Sequence, residues 1–384
     1  MRPLMMRMAI PMTTWLAACV PLATQDPGST DPRTDAAPDT GTPSPGHTGH
    51  TGDTADGPLP PAFPELARDA WTYVPVDGMV CGNGRETGLG INPGTDPTRL
   101  VVVVQGGGAC WDLATCLVLG TATHVTTGWG EAQMQAETAT LEATDWFDRT
   151  SAGPWSEATW ALIPYCTGDL HAGSRIQSYN ALDPNQRVHH VGDANLVAAL
   201  GALASGVPDA AEAWIVGLSA GGYGVQLHAD RFPATFPEAD VALLADGAPM
   251  IQPSGGLWGT WRTAWSMRLP DGCDTCASSA RDTLTARLDA LEALDAEVPV
   301  GLITTVSDDV VGLYLGYGTS PIDGAVNALV TDVYEPREAV NAFVAPGGDH
   351  VLLAAPSRTA PDGTVLGDWV QAWRDRDPAW TDAR

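Results

Sequence analysis

Ser219 stands in a setting that is typical of a catalytic nucleophile. It is the centre of the pentapeptide Gly217-Leu218-Ser219-Ala220-Gly221, which has the pattern Gly-x-Ser-x-Gly. The apolar run 213–217 precedes it as a predicted strand, and a helical pattern follows over 220–231. A serine at such a tight strand-to-helix turn projects its hydroxyl above the sheet, and glycines let neighbouring backbone pass closely. The pattern therefore predicts a nucleophile elbow, with a purely structural turn as the alternative.

Three consecutive glycines upstream of Ser219 provide backbone groups that could stabilise negative charge. Gly106, Gly107 and Gly108 directly follow the apolar run 100–104. A glycine loop after a strand supplies N–H groups to an oxyanion hole, together with the N–H of the residue that follows the nucleophile. We therefore expect Gly107, Gly108 and Ala220 to form the oxyanion hole. A phosphate-binding loop is the rival interpretation, but it lacks the Gly-Lys-Ser/Thr ending.

The general base follows by elimination. In serine hydrolases with this kind of turn, the acid and then the histidine come after the nucleophile in the chain, and only His228 and His350 do so here. A helix would carry His228 about 13 Å from Ser219, at about 1.5 Å per residue. His350 instead lies in a Gly-Gly-Asp-His loop just after the apolar run 342–345. We predict that His350 is the general base.

Three aspartates could be the acid that orients His350. Asp308 and Asp309 follow the predicted strand 300–305, and Asp246 follows the predicted strand 241–245. All three would lie at the carboxyl end of a strand, where a triad acid must lie. We rank Asp308 first, Asp309 second and Asp246 third, and we expect an oxygen of Asp308 within about 3.2 Å of His350. Asp246 could instead be a structural carboxylate that binds backbone N–H groups.

Alternating strands and helices must position these residues. Continuous apolar runs suit strands that are buried on both faces of a parallel sheet; they cover residues 99–105, 158–164, 213–217, 241–245, 300–305 and 342–345. Helical patterns lie between them, over 193–205, 220–231 and 278–294. This order predicts an α/β fold with a mostly parallel central sheet flanked by helices, the α/β-hydrolase arrangement.

The N-terminal 62 residues predict export rather than a folded domain. Arg2 and Arg7 precede an apolar stretch over residues 8–20, which suits a signal peptide. Leu16-Ala17-Ala18-Cys19 resembles a lipobox, so residues 1–18 are predicted to be a lipoprotein signal peptide and Cys19 the lipidated residue. An ordinary secretory signal is the alternative. Residues 19–62, rich in Thr, Pro, Gly and Asp, are predicted to be a disordered linker, and 63–384 to be the esterase domain.

Six cysteines would remain after cleavage before Cys19. An even number in an exported chain favours disulfides, and the residues are Cys81, Cys110, Cys116, Cys166, Cys273 and Cys276. Six cysteines allow fifteen pairings, and the sequence alone does not choose among them. Pairing of near neighbours would join Cys110 to Cys116 and Cys273 to Cys276, and would leave Cys81 with Cys166. A zinc site is a weak reading, because the spacings are irregular and only one Cys-x-x-Cys occurs. We expect no metal and no cofactor.

Charge restricts the partners. The formal net charge is −27, and all 19 basic residues are arginines. Such a chain would repel nucleic acid and anionic membranes. We therefore expect no nucleic-acid partner, contact with a membrane only through a lipid anchor, and a monomer that is either anchored to the cell envelope or secreted.

The sequence resembles the pectin acetylesterase family, the family of the carboxylesterase Notum. The resemblance covers about residues 71–353, and four segments carry it: Gln-Gly-Gly-Gly-Ala-Cys-Trp (105–111), Pro-Tyr-Cys-Thr-Gly-Asp (164–169), Val-His-His-Val-Gly-Asp-Ala-Asn (188–195) and the elbow (217–224). The family's catalytic Ser, Asp and His correspond to Ser219, Asp308 and His350. The resemblance implies a metal-free α/β-hydrolase that cleaves carboxylic esters, with an acylated carbohydrate or another ester as its substrate.

The resemblance leaves the acyl group open. Ala109 stands where plant members usually carry an aromatic residue, and Leu170-His171-Ala172-Gly173 also departs from the plant pattern. An acetylesterase is our main hypothesis. A lipase-like or polyester-cleaving carboxylesterase with a larger acyl pocket is the first alternative. A catalytically inactive surface binding module is the second, which the intact serine, glycine loop and histidine oppose. His189 and His190 could line the site or form structural hydrogen bonds.

Overall fold

The computed structural model describes residues 63, 66–147, 149, 153–294, 297–318 and 320–384. The predicted signal peptide, Cys19 and the linker 19–62 lie outside the described residues. Within the described part of the chain, no helix is both long and apolar enough to cross a membrane.

Of the ten strands in the described part of the chain, eight form one central sheet. The strands are β1 (Thr72–Val80), β2 (Glu86–Asn92), β3 (Asp96–Val104), β4 (Ala158–Ile163), β5 (Arg175–Ser178), β6 (Arg187–His190), β7 (Glu212–Leu218), β8 (Asp240–Asp246), β9 (Val300–Thr305) and β10 (Val340–Ala345). The sheet has the order β1-β2-β4-β3-β7-β8-β9-β10, and β5 pairs with β6 in a separate hairpin. From β4 to β10 the neighbours are parallel, whereas β1 and β2 join antiparallel at one edge.

Helices cover both faces of the sheet. They are α1 (Glu131–Glu142), α2 (Gly192–Gly206), α3 (Ala220–Leu227), α4 (Arg231–Thr235), α5 (Leu257–Trp265), α6 (Ala280–Glu292), α7 (Asp309–Tyr314), α8 (Asp323–Leu329) and α9 (Leu366–Arg374). Short 3₁₀ segments occur at Asp145–Phe147, Ser254–Gly256 and Thr275–Ala277, and π segments at Ala114–Val118 and Val330–Tyr334. The predicted helix 220–231 is wrong as a single element, because the chain leaves the helical conformation at His228 before α4 begins.

Alternation along the parallel strands creates two apolar cores. Val102 and Ile215 face one core, which also contains residues of α2, α3 and α6. Val101 and Val216 face the other, which contains many of the tryptophans. Because both faces are covered, β4, β9 and β10 are buried along their whole length. Their continuous apolar runs were therefore readable in the sequence, and the predicted α/β-hydrolase fold class is confirmed.

Three disulfides join the six described cysteines. The pairs are Cys81–Cys166, Cys110–Cys116 and Cys273–Cys276. The first connects the end of β1 to the segment after β4. The second closes the loop that follows the three glycines. The prediction of disulfides is confirmed, and these bonds fit an exported protein, since they persist in oxidising compartments.

Candidate active site

Ser219 lies at a strained turn between β7 and α3. Its backbone has φ 54° and ψ −120°, a conformation that a residue with a side chain seldom adopts. A Cβ atom on Gly217 would overlap the carbonyl of Gly221, and one on Gly221 would overlap the carbonyl of Val104. Gly217 is therefore required by close packing within the turn, and Gly221 by packing of the turn against β3.

His350 is hydrogen-bonded to both Ser219 and Asp308. Its Nε2 atom lies 2.8 Å from the Ser219 Oγ, and its Nδ1 atom lies 2.7 Å from Oδ2 of Asp308. With the ring proton on Nδ1, the imidazole donates to the carboxylate and accepts from the serine hydroxyl. Asp308 is only 1% exposed, so solvent does not compete for that bond. The arrangement can transfer a proton from Ser219 to a histidine whose orientation is fixed.

The three candidate acids have different partners. Asp308 also accepts the N–H of Val311 through Oδ1 at 2.9 Å, so one carboxylate both caps α7 and binds His350. Asp309 is exposed, and its carboxyl group lies beside Gly348. Asp246 is fully buried, and its two carboxylate oxygens accept backbone N–H groups instead of the His350 ring. The structure thus brings Asp308 together with His350 and places the other two elsewhere.

Asp246 binds the backbone just after His350. Its Oδ1 and Oδ2 atoms accept the N–H groups of Leu352 at 2.9 Å and Leu353 at 2.8 Å. Burial raises the pKa of Asp246 to about 6, while these two N–H groups and the charge of His350 oppose the rise. These contacts match the alternative role given for Asp246 from the sequence, that of a structural carboxylate that binds backbone N–H groups.

The three glycines lie against the elbow. A Cβ atom on Gly106 would stand 2.8 Å from the Cβ of Ser219, so the loop touches Ser219 at a glycine that was not predicted to belong to the site. The carbonyl of Gly107 accepts the N–H of Thr123 at 2.8 Å. Gly108 has φ +78° and lines a pocket with Ser219 and Ala220. Of the predicted oxyanion-hole residues, Gly108 and Ala220 thus border the pocket directly.

The pocket at Ser219 is small and mostly apolar. Its cavity measures about 30 Å³, roughly the room that two water molecules need. The lining residues are Gly108, Ala109, Leu170, Ser219, Ala220, Tyr223, Gly247, Trp261, Val310, Val311, Tyr314, Leu315 and His350. Sequence reasoning missed Tyr223, which lies within the elbow segment but was given no role, and it missed Trp261 and Tyr314, which no motif marks. Ala109 and Leu170, noted only as departures from the plant pattern, are both in the wall.

A strained turn holds Leu170 in the pocket wall. Leu170 and His171 have φ of 55° and 58°. The Leu170 N–H donates to the Tyr165 hydroxyl at 3.0 Å, and His171 Nε2 donates to the Gln105 carbonyl at 2.8 Å. Burial lowers the pKa of His171 to about 4, so the ring is neutral at pH 7. The turn is thereby tied to the residue that precedes the three glycines.

His228 and His190 form structural hydrogen bonds, and His189 lies outside the pocket. His228 is fully buried and donates from Nε2 to the His171 carbonyl at 2.9 Å. His190 donates from Nδ1 to the Thr167 carbonyl at 2.8 Å and accepts the Tyr179 hydroxyl at 2.9 Å. His189 is partly buried and does not line the pocket. Two of the segments that carry the family resemblance therefore support the site from outside it.

One group of possible metal ligands occurs among the described residues. Ligand atoms of Cys110, Cys116 and His190 lie within 4.8 Å of one another. The two cysteines form a disulfide, so neither offers a thiolate. His190 already uses both ring nitrogens in hydrogen bonds. The donor set does not suit a metal ion in this state.

The parallel sheet, the strained serine turn and the histidine after the last strand define a protein of the α/β-hydrolase class. The sequence profile of the pectinacetylesterase family matches residues 71–253, which confirms the predicted resemblance to that family. The match includes Ser219 and the three glycines and ends before Asp308 and His350. Together, the family match and the fold identify the chain as a carboxylic ester hydrolase. Comparison with curated protein sequences gives no significant match.

The fold is also found in the Wnt deacylase Notum from Drosophila. One crystal form of Notum superposes with a TM-score of 0.61 at 17% identity, covering 82% of this chain and 95% of that chain. A second crystal form gives a TM-score of 0.57, also at 17% identity, covering 81% of this chain and 95% of that one. At this identity the likeness establishes the fold.

Proposed function

We propose that this protein is a serine esterase that removes acetyl groups from a carbohydrate, with Ser219, His350 and Asp308 as the catalytic triad. The observation that carries the proposal is the continuous hydrogen-bonded chain from the Ser219 Oγ through both nitrogens of His350 to Oδ2 of Asp308. An inactive binding module would not need a serine held in a strained turn beside a buried acid–histidine pair.

The first half-reaction forms an acyl-enzyme. The Ser219 Oγ attacks the ester carbonyl carbon while His350 Nε2 takes the hydroxyl proton. The carbonyl oxygen becomes an oxyanion, which the N–H groups of Gly107, Gly108 and Ala220 stabilise. One such donor contributes about 2.7–4 kcal/mol to barrier lowering. The C–O bond to the alcohol then breaks, and Nε2 returns its proton to the departing oxygen.

The second half-reaction releases the acid. A water molecule replaces the alcohol, and His350 Nε2 removes one of its protons as the oxygen attacks the acyl carbon. The bond to the Ser219 Oγ breaks, and Nε2 gives the proton back to that oxygen. Asp308 stays ionised and holds the imidazolium through Nδ1 in both halves. No step uses a metal, so EDTA should leave the rate unchanged.

The size of the pocket supports a short acyl group. A cavity of about 30 Å³ accommodates the methyl group of an acetyl ester, whereas a long chain needs many times that volume. Leu170 and Trp261, at 3% and 2% exposed, close it with side chains that are packed on their far sides. A longer chain would have to displace these groups, so we propose acetyl rather than fatty acyl esters.

One observation favours a second candidate, a lipase-like or polyester-cleaving carboxylesterase. Leu313 is 66% exposed and adjoins Tyr314 in the wall of the pocket. Movement of α7 would enlarge the pocket and leave an apolar side chain at its mouth. The two candidates differ in the chain length that they prefer.

Charge bears on the alcohol part of the ester. The net charge of −27 opposes the approach of a polyanion such as a polyuronate. We therefore propose that uncharged acetylated glycans are better substrates than acetylated pectin. Acetyl release from both polymers at low and at high salt tests this, because screening should raise the rate on pectin and leave the rate on the neutral polymer unchanged. Faster acetyl release from pectin than from the neutral polymer at low salt would contradict the proposal.

Hydrolysis of p-nitrophenyl esters from acetate to palmitate tests the activity. The wild-type enzyme should cleave acetate best, and Ser219→Ala should lower kcat by at least about 10³-fold for every ester. Ser205→Ala is the matched control, since its Oγ bonds only within α2, to the Gly201 carbonyl. A Ser219→Ala protein with a tenth of wild-type activity would disprove the nucleophile, and a preference for palmitate would favour the second candidate.

We further propose that the mature protein is a monomer anchored through a lipid on Cys19, with residues 19–62 as the linker between the anchor and the esterase domain. The support is the lipobox-like tetrapeptide and the polar composition of the linker. Cys19→Ser should release the enzyme from the membrane fraction, and an unchanged distribution would argue for an ordinary secretory signal.

A further inference from the structure

We propose that Asp246 is a positioning residue that holds Ser219 and His350 at their mutual distance. The inference rests on the proposed function, because it assumes that these two side chains do the chemistry. Asp246 is the last residue of β8 and is fully buried. The serine turn and the histidine loop are both hydrogen-bonded to this one residue.

The backbone of Asp246 fixes the serine turn. Its carbonyl oxygen accepts the N–H of Ser219 at 2.8 Å, in continuation of the parallel ladder in which Leu218 lies opposite Asp246. Because Ser219 has φ 54°, its conformation persists only if its surroundings impose it. The hydrogen bond from its N–H is one such constraint, and it comes from the strand that carries the buried carboxylate.

The side chain of Asp246 fixes the histidine loop. Val351, directly after His350, has φ +58°, an unfavourable backbone conformation for a β-branched residue. The next two N–H groups, of Leu352 and Leu353, each bind one oxygen of the Asp246 carboxylate. Hydrogen bonds to an ionised acceptor are stronger than those between neutral groups. The carboxylate therefore holds the strained segment that presents the His350 ring.

The residue after Asp246 supports the ring itself. Gly247 has φ +68°, and a Cβ atom there would lie 3.0 Å from Cε1 of His350. The N–H of Gly247 donates to the Ile303 carbonyl at 2.8 Å, which ties it to β9, the strand that leads to Asp308. The ring of His350 thus rests on backbone that is fixed to the strands of both aspartates.

The charge of Asp246 acts on the same pair. The ionised carboxylate of Asp246 is attracted by His350 and repelled by Asp308. On the histidine loop, Asp349 is paired with Arg358 at 2.7 Å. An ionised Asp246 favours the charged form of the imidazole during catalysis. A purely structural carboxylate would contribute to stability without affecting the pH dependence of the rate.

Steady-state kinetics of Asp246→Asn separates these roles. Asparagine keeps the shape but offers one acceptor oxygen instead of two, so either Leu352 or Leu353 loses its partner. We expect kcat on p-nitrophenyl acetate to fall at least about tenfold, with KM within about twofold. The acidic limb of the kcat/KM profile should move to lower pH by about 0.5–1 pH unit. A variant that melts earlier but keeps kcat and the acidic limb overturns the proposal.

Asp382→Asn is the matched control. The carboxylate of Asp382 accepts a backbone N–H, that of Ala342 in β10, at 2.7 Å, and Asp382 takes no part in the proposed site. It should lose stability without a change in kcat or in the pH profile. An equal loss of kcat in both variants would show that Asp246 acts only through general stability.

Wild-type enzyme provides a test if Asp246→Asn fails to fold. Nuclear magnetic resonance should show the amide protons of Leu352 and Leu353 and the Asp246 carboxyl carbon titrating together, and kcat should fall along the same curve. Amide shifts that do not follow the carboxyl group would refute the proposal. Ser219→Ala in the same assay distinguishes the two failures. If Ser219→Ala keeps a tenth of wild-type activity, the proposed function is wrong. If Ser219→Ala is inactive but Asp246→Asn has a normal kcat and a normal acidic limb, only this inference is wrong.

Discussion

Two groups of residues meet at Ser219, and the chain builds them in different ways. The first group contains the proposed triad, and we call it the catalytic edge. It consists of Ser219, Asp308, His350 and the three glycines, all at the carboxyl ends of parallel strands. The pocket wall includes Leu170, Tyr223, Trp261 and Tyr314, which come from a turn and from the helices α3, α5 and α7. Strand ends fix the first group within the rigid sheet, whereas the second depends on how separate segments pack over it.

The difference predicts that the two groups control different properties. A change at the catalytic edge should lower the rate for every ester alike, because it affects the common transition state. A change in the pocket wall should alter the preference between esters and leave the chemistry intact. One residue joins the groups, since Asp308 binds His350 and caps α7 through Val311.

Asp308→Asn should lower the rate more than any change in the pocket wall. The amide would favour the wrong tautomer of His350, while its oxygen could still accept the N–H of Val311. We expect kcat to fall by about 10²–10⁴-fold, equally for acetate and longer esters. Asp309→Asn is the control, because that exposed side chain does not bond to the His350 ring and should leave kcat within about twofold. If Asp309→Asn lowered kcat more than Asp308→Asn, our assignment of the acid to Asp308 would be wrong.

Leu170→Ala should give a moderate effect of another kind. Removal of a buried isopropyl group enlarges the pocket, so the ratio of kcat/KM for butyrate to that for acetate should rise by about tenfold. The loss of packing should destabilise the fold by about 2–5 kcal/mol. Leu203→Ala, a fully buried leucine of α2 outside the pocket, should cause similar destabilisation with no change in preference. An unchanged ratio in Leu170→Ala would remove Leu170 from the acyl site.

The catalytic edge was largely predictable from sequence, and the reason is geometric. Parallel strands bring their carboxyl ends to one edge, so residues directly after apolar runs must lie together there. The Gly-x-Ser-x-Gly pattern selected Ser219 and elimination selected His350; the strand-end rule agrees with both, and it reduced the acids to Asp246, Asp308 and Asp309. It could not show that the Asp246 carboxylate faces the backbone after His350, since that depends on a turn through Val351 at φ +58°.

The pocket wall was not predictable, because no local pattern specifies it. The turn at Leu170 contains no glycine at its two left-handed residues, so nothing in the sequence indicates that conformation. Helix α7 has six residues, too few for a periodic signal. Strand β1 is half exposed and β2 contains two glycines, which explains why the antiparallel edge of the sheet escaped prediction as well.

Buried ionisable groups behind the two groups should respond to acid in opposite directions. Burial lowers the pKa of His171 and His190 to about 4 and that of His228 to about 3. An unfolded histidine titrates near 6.5, so between about pH 4 and 6.5 the unfolded chain binds more protons, and these residues lower stability as pH falls. Burial raises the pKa of Asp169 and Asp246 to about 6. The folded chain then binds more protons between about pH 4 and 6, which raises stability as pH falls.

The three histidines and the two carboxylates affect stability in opposite directions as pH falls. The smallest predicted effect is therefore the slope that remains when the free energy of unfolding is plotted against pH. Near pH 5 the difference is about one proton, and the free energy of unfolding should fall by about 1.4 kcal/mol per pH unit of acidification. His228→Gln removes one histidine from behind the pocket wall, so its slope should be close to zero. Urea unfolding at pH 5.0 and 6.0 measures both slopes. His189→Gln is the control, because that histidine is partly exposed and should change the slope less. If His228→Gln keeps the wild-type slope, the buried histidines do not determine how the free energy of unfolding depends on pH. Asp169→Asn would then test whether the buried carboxylates determine it.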